Sequence, residues 1–145
     1  MAKARFSQVQ IGDALPVVEH VVTQDVIDRY AVASLDYNPV HTNIEWCTRA
    51  QVFGIPQTVG HGMYTMSTIA SVVVRGFGAG IARVRSVDAK FTRPVPVGST
   101  LRCSGTVKEL HPIGPGRNFV TVELSATNPA GVVMGVGSAE VLLPD

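Results

Sequence analysis

One apolar segment limits the architectures open to this chain. Between His61 and Arg75 it carries Met63, Met66, Ile69, Ala70, Val73 and Val74, with Phe77 just beyond, on more than one helical stripe. A helix that is apolar around most of its circumference has to be covered around most of it. The downstream sequence offers the cover. Ile81 to Thr92, Leu101 to Leu110, Phe119 to Thr127 and Val132 to Leu143 read as strands. They are separated by Pro94 with Pro96-Val97-Gly98, by Pro112 to Gly116, and by Asn128-Pro129-Ala130-Gly131. Val72 to Val74 would suit a strand as well, but the length of the segment and its lack of alternation favour a helix. Gly76, Gly78 and Gly80 are expected to end it. The pattern is α+β, a long central helix laid on an antiparallel sheet.

The upstream third is mixed. Val17 to Val22 reads as a short strand. Thr23 can cap a helix with Asp25 in its first turn, where a negative charge suits the helix dipole. Val26, Ile27, Tyr30 and Ala31 continue that helix to about Leu35. Asn43 to Val52 reads as another short helix, closed by Gly54 and Pro56.

The chain's 145 residues suit one compact domain spanning 1–145. A net charge of +1 offers no field for nucleic acid. Apolar residues make up 46% and charged ones 16%, a balance that suggests surface hidden in an oligomer. No signal-like apolar stretch opens the sequence and no run approaches a membrane span, so a cytoplasmic protein is expected. Cys47 and Cys103 lack metal-ligand spacing and read as buried small hydrophobes; no metal or cofactor is expected. His20 and His111 read as surface residues. The glycines at 76, 78 and 80 lack the strand-to-helix order and the lysine of a phosphate loop.

The chemistry concentrates in Ser34-Leu35-Asp36-Tyr37-Asn38-Pro39-Val40-His41. Asp36 and His41 stand five apart with Pro39 between them, which excludes an undisturbed helix. A bent loop can turn both side chains toward one water molecule, the equipment of general acid–base chemistry. Pro39 fixes its own φ and drives Asn38 toward extended geometry, and the Asn38 amide can fix the loop or a ligand. A second unusual string, Gly60-His61-Gly62-Met63, stands at the mouth of the apolar helix. A glycine there leaves a free N–H aimed outward along the helix dipole and lets a ligand come close. The plainer alternative for the first string is a loop whose polar side chains only bond the backbone; for Gly62 it is a helix-start glycine with no ligand.

These two strings resemble the MaoC-like, R-specific enoyl-CoA hydratases (the hydratase 2 family), whose signature runs Tyr-Ala-x-x-Ser-Gly-Asp-x-Asn-Pro-x-His. Tyr30, Ala31, Ser34, Asp36, Asn38, Pro39 and His41 meet it, and His61-Gly62-Met63 meet the later Ala-His-Gly-Met element, with Gly60 in place of the alanine. Leu35 replaces the glycine before the aspartate, Tyr37 is bulky, and Asn43 stands where an aspartate is frequent.

The resemblance implies a hotdog fold, a homodimer, and reversible syn addition of water to a trans-2-enoyl thioester, giving a (3R)-hydroxyacyl thioester. Asp36 and His41 would then share the proton transfers, and the Gly62 N–H would stabilise the thioester oxygen. His61, Met63, Met66 and Phe53 (or its neighbour Val52) would shape the acyl pocket beside Asn38. Cations among Arg75, Arg83, Arg85, Lys90, Arg93 and Arg102 would meet the phosphates of CoA or the acidic face of a carrier protein. Rival readings are a (3R)-hydroxyacyl-ACP dehydratase, a hotdog thioesterase, and a non-catalytic acyl-thioester-binding subunit of a heterodimer.

Overall fold

The computed structural model describes residues 5–78 and 80–145. Its elements are β1 (Ala14–Val21), α1 (Gln24–Ser34), α2 (Pro39–Thr42), α3 (Ile44–Ala50), α4 (Gly62–Phe77), β2 (Arg83–Phe91), β3 (Thr100–His111), β4 (Phe119–Thr127) and β5 (Val133–Leu142). All strand pairs are antiparallel and the sheet order is β1-β3-β4-β5-β2. The chain thus lays down one edge, crosses the sheet with its helices, lays down the other edge, and fills the middle with a β3–β5 meander. This is the hotdog arrangement.

Alternation decides which face meets the helix. Leu101, Cys103 and Val107 of β3 and Val120, Val122, Leu124 and Ala126 of β4 are buried, with Ala139 and Val141 of β5 beside them. Their neighbours point the other way, as the two-residue period of a strand requires. On α4 the buried positions are Thr65, Thr68, Ile69, Val72, Val73, Gly76 and Phe77, one broad stripe at three- and four-residue spacing. Ile69, Val72 and Val73 are fully shielded; each such side chain contributes about 1.5–3 kcal/mol. The helix is therefore covered by the sheet along one face and not around most of its circumference, and Met63 on the far side is exposed.

Three boundaries differ from the sequence reading. β1 begins at Ala14, because Pro16 is accommodated at a register shift between Leu15 and Val18; a proline lacks the ladder donor and is tolerated at such irregularities. Gly76 lies inside α4 and not at its end. A Cβ there would stand 3.0 Å from Leu15 Cδ2, so the glycine serves close packing of the helix on β1. The stop falls at Gly78, whose φ of +106° suits glycine and whose N–H bonds to the Val74 carbonyl. The stretch 36–41 is not all loop, since Pro39 opens the single turn of α2, the position where a missing N–H is harmless.

His20 and His111 are half-buried and not surface residues. His20 Nε2 is enclosed without a partner among the described residues, and His111 stacks on Phe119 at 4.1 Å. Among the described residues no helix is long and apolar enough to cross a membrane.

Candidate active site

Short polar side chains build the bend that carries Asp36 and His41. Ser34 Oγ donates to the Tyr30 carbonyl at 2.7 Å and accepts from Asp36 N at 3.4 Å. Asp36 Oδ1 then accepts from Asn38 N (3.2 Å), and Asn38 Oδ1 accepts from Val40 N (3.0 Å). Two successive side-chain turns of this kind reverse the chain without regular structure. Between α1 and the bend Leu35 takes the left-handed conformation, φ +59°, a helix-ending geometry that glycine ordinarily supplies.

His41 is held by its ring. Its Nδ1 lies 2.7 Å from the Val59 carbonyl, which can only accept, so Nδ1 carries the proton and the Nε2 lone pair is free. That nitrogen stands 3.9 Å from Asp36 Oδ2. The separation is too long for a direct hydrogen bond, but it leaves a position about 2.8 Å from both atoms where one water can donate to each. The His41 side chain is 12% exposed and Asp36 about half exposed. Burial is the main cause holding the His41 pKa below 6.5. The neighbouring His61 adds to it, while the Val59 hydrogen bond and Asp36 oppose it. His41 is therefore neutral at pH 7 and able to accept a proton.

His61 packs beneath. It is 2% exposed, its Nε2–H donates to the Asp36 carbonyl at 3.0 Å, and its ring stacks on that of His41 with centroids 3.8 Å apart. The Tyr30 ring packs against it as well, tilted by 52° with centroids 4.8 Å apart. The ligand atoms of Asp36, His41 and His61 all lie within 4.8 Å of one another.

A cavity of about 350 Å³ opens beside His41. It is lined by His41, Phe53, Val59, Gly60, Gly62, Thr65, Phe91, Thr92, Arg93, Pro94, Val95 and Met134. Of the residues marked out in the sequence, this surface brings together His41, Gly62 and Phe53. Asp36 is not among its lining residues and stands 3.9 Å from the His41 ring that is. Gly62 is the first residue of α4, where the N–H has no acceptor within the helix. Asn38 shapes the bend and His61 lies behind it, so neither faces the cavity.

Met63 and Met66 do not line it either. Met63 is exposed and Met66 half-buried; Met66, one turn on from Gly62, shares that residue's side of α4 but does not reach the cavity wall. Of the basic run only Arg93 reaches the cavity. Arg85 lies 3.9 Å from Glu140 and over the Phe119 ring, and Arg102 pairs with Glu19.

Several cavity residues escape a reading of the sequence. Val59 contributes a carbonyl, which carries no side-chain signal, Thr92–Val95 follow the edge strand β2, and Met134 comes from β5 beside it. Phe91 had an indirect marker in Gly62, since a Cβ there would stand 2.8 Å from Phe91 Cε2.

The domain described as MaoC like matches residues 6–129. The chain belongs to this family. It is 30% identical over 140 residues to an (R)-specific enoyl-CoA hydratase of Rhodospirillum rubrum, covering 96% of this chain and 91% of that protein. A 3-hydroxyacyl-thioester dehydratase of Mycobacterium tuberculosis is 32% identical over 108 residues, 72% of this chain and 35% of that protein. An R-hydratase of Pseudomonas aeruginosa has the same fold, with a TM-score of 0.87 over 98% of this chain and 86% of that one, at 24% identity. MaoC-like membership makes this protein an enzyme of the hydratase and dehydratase kind, a hydro-lyase.

Proposed function

We propose that this MaoC-like protein adds water reversibly across the C2–C3 double bond of a trans-2-enoyl-CoA, giving the (3R)-hydroxyacyl thioester. The reading is carried by one observation: His41, whose free Nε2 lies 3.9 Å from the Asp36 carboxylate, lines the same cavity as Gly62, the first residue of α4. Thioester conjugation makes C3 electrophilic, and addition there moves negative charge onto the carbonyl oxygen. A water held between Asp36 and His41 loses a proton to one of them as its oxygen bonds to C3. The proton is then delivered to C2 on the same face, which accounts for syn addition. A positioned acid or base contributes about 10²–10⁴-fold. The Gly62 N–H and the α4 dipole meet the growing oxygen charge, and one such donor is worth about 2.7–4 kcal/mol. Apolar walls from Phe53, Phe91, Val95 and Met134 suit an acyl chain, and Arg93 at the rim suits a phosphate.

The same site run backwards is a (3R)-hydroxyacyl-thioester dehydratase, on CoA or on a carrier protein, as the name of the M. tuberculosis relative suggests. A homodimer is part of the proposal. β2 is an unpaired sheet edge with Val84 and Phe91 exposed, and a bare apolar edge calls for a cover.

Crotonyl-CoA tests the reaction. Hydration bleaches the conjugated enoyl absorbance and releases no thiol. Release of free CoA without loss of the double bond would identify a thioesterase instead, and no turnover with any enoyl-CoA would leave a binding subunit.

A further inference from the structure

Gln24 stands in the first turn of α1, directly after the Thr23 cap, and its side-chain amide is fully engaged. Nε2 donates to Asp28 Oδ1 at 2.8 Å and to the His41 carbonyl at 3.0 Å, while Oε1 accepts from Thr58 Oγ1 at 2.5 Å. Only one orientation of the amide satisfies these neighbours. Turned over, Oε1 would face a carboxylate and a carbonyl, both acceptors. Thr58 is 1% exposed. The next residue, Val59, donates its N–H to the Val40 carbonyl at 3.1 Å and takes the His41 ring proton on its own carbonyl. A closed circuit therefore runs from Gln24 to the His41 backbone, through the His41 ring to Val59, and back by Thr58. It joins α1, α2 and the segment before α4.

We propose that Gln24 is a positioning residue for His41. Together with Thr58 it pins the α2 backbone to the 58–59 segment, so that the imidazole keeps Nε2 directed at the Asp36 carboxylate. The logic is geometric. The ring bond to Val59 fixes one end of His41 only if Val59 itself is fixed relative to the His41 main chain. The Val59–Val40 bond supplies one such tie, and the amide with Thr58 supplies the second, which stops the two segments from pivoting. The titratable and charged groups around His41 are Asp36 from the bend, His61 from the head of α4, Arg93 across the cavity, Cys47 of α3 on the α2 backbone and, through Gln24, Asp28 of α1. For its kinetic readout the proposal rests on the hydratase reading of His41.

Three variants test it. Thr58→Val removes the hydroxyl at nearly constant shape, Thr58→Ser keeps it, and Gln24→Glu replaces both donors by an acceptor. Two quantities are followed: kcat and KM with crotonyl-CoA, and the titration of the His41 imidazole by NMR. Displacing a catalytic group by an ångström lowers rates about 10²-fold, so partial slackening is expected to reduce kcat about tenfold in Thr58→Val and Gln24→Glu, with KM little changed. The His41 titration moves up toward 6.5, because water reaches a ring whose burial is the main cause of its lowered value. Thr58→Ser recovers most of the rate and the wild-type titration.

Unchanged kcat and unchanged titration in both disruptive variants would overturn the proposal. So would a lowered melting temperature with both quantities intact in the folded fraction, since that is a purely structural role. Failure of the wild-type protein to hydrate any enoyl-CoA would overturn the functional reading instead, and the titration would still decide whether Gln24 and Thr58 hold the ring.

Discussion

The imidazole rings of His41 and His61 lie stacked, 3.8 Å between centroids and 28° between planes, with a proton-donating nitrogen of each committed to a backbone carbonyl. A positive charge on His41 would therefore develop against a second ring in a site with little access to water. The lowered pKa of His41 follows from that burial first and from His61 second. Two consequences carry definite signs. As a proton acceptor His41 works neutral, so kcat/KM is expected to fall on the acid side with an apparent pKa below 6.5. In stability, a folded-state pKa below the unfolded value means the unfolded chain binds more protons. The contribution is then present above 6.5 and lost as pH falls through the folded value. A pH profile of crotonyl-CoA hydration checks the first point; an acid limb above 6.5 would assign the essential base elsewhere.

Removing either proton-transfer group leaves the fold largely untouched, because neither belongs to the core. Asp36 is half exposed, and His41 sits on the one-turn helix α2. Asp36→Asn and His41→Ala are each expected to lower kcat by at least about 10²-fold. Circular dichroism should show intact secondary structure in both. Near-normal turnover in either variant would remove that residue from the chemistry.

How much of this was legible in the sequence depends on which atoms do the work. The strand alternation of β3 and β4 and the stripe of α4 are side-chain patterns, and they give the layer arrangement directly. The Asp36–His41 bend is legible because Asp, Asn, Ser and Pro each have a local backbone habit that points the same way. Gly76 misleads for a related reason: it looks like a helix breaker, yet its lack of a Cβ is used against Leu15 from inside α4. Met63 and Met66 are apolar residues at the head of α4, which the family resemblance places in the acyl pocket. Neither is among the residues that line the cavity, and which apolar side chains do so is set by how α4 sits against the sheet. The Val59 carbonyl, the Gln24–Thr58 bond and the return of Thr92–Val95 over the site are tertiary contacts between distant segments. No local signal marks them.

Leu35 offers a test of backbone strain next to the site. Its φ of +59° is a conformation that costs a non-glycine residue roughly 1–2 kcal/mol. Its side chain is 78% exposed, so little packing offsets that strain. Leu35→Gly removes the strain but adds about 0.5–1 kcal/mol of chain entropy to be lost on folding. A net gain of about 0.5–1 kcal/mol is expected in a urea melt. A loss of stability instead would show that the exposed leucine makes a contact in the assembled protein that the isolated chain does not reveal.

Gly62 is placed where two demands coincide, and a pair of variants separates them. A Cβ at this position would stand 2.8 Å from Phe91 Cε2 and 2.9 Å from Cδ2, closer than van der Waals contact allows. Gly62→Ala must therefore push the Phe91 ring aside, and overpacking of this kind typically costs about 1–3 kcal/mol. The same methyl would stand at the cavity wall, between an incoming thioester oxygen and the helix N–H. If the glycine served only to seat Phe91, shortening that ring in Gly62→Ala/Phe91→Leu would restore stability and rate together. If the close approach of a ligand is what requires glycine, the double variant recovers its melting temperature while kcat/KM stays at least about tenfold low, as expected when the methyl keeps the developing oxyanion from the helix N–H. We expect the second outcome. Thermal melts alongside crotonyl-CoA kinetics on the wild type, the two single variants and the double variant decide it, and joint recovery of both properties would reduce Gly62 to a packing residue.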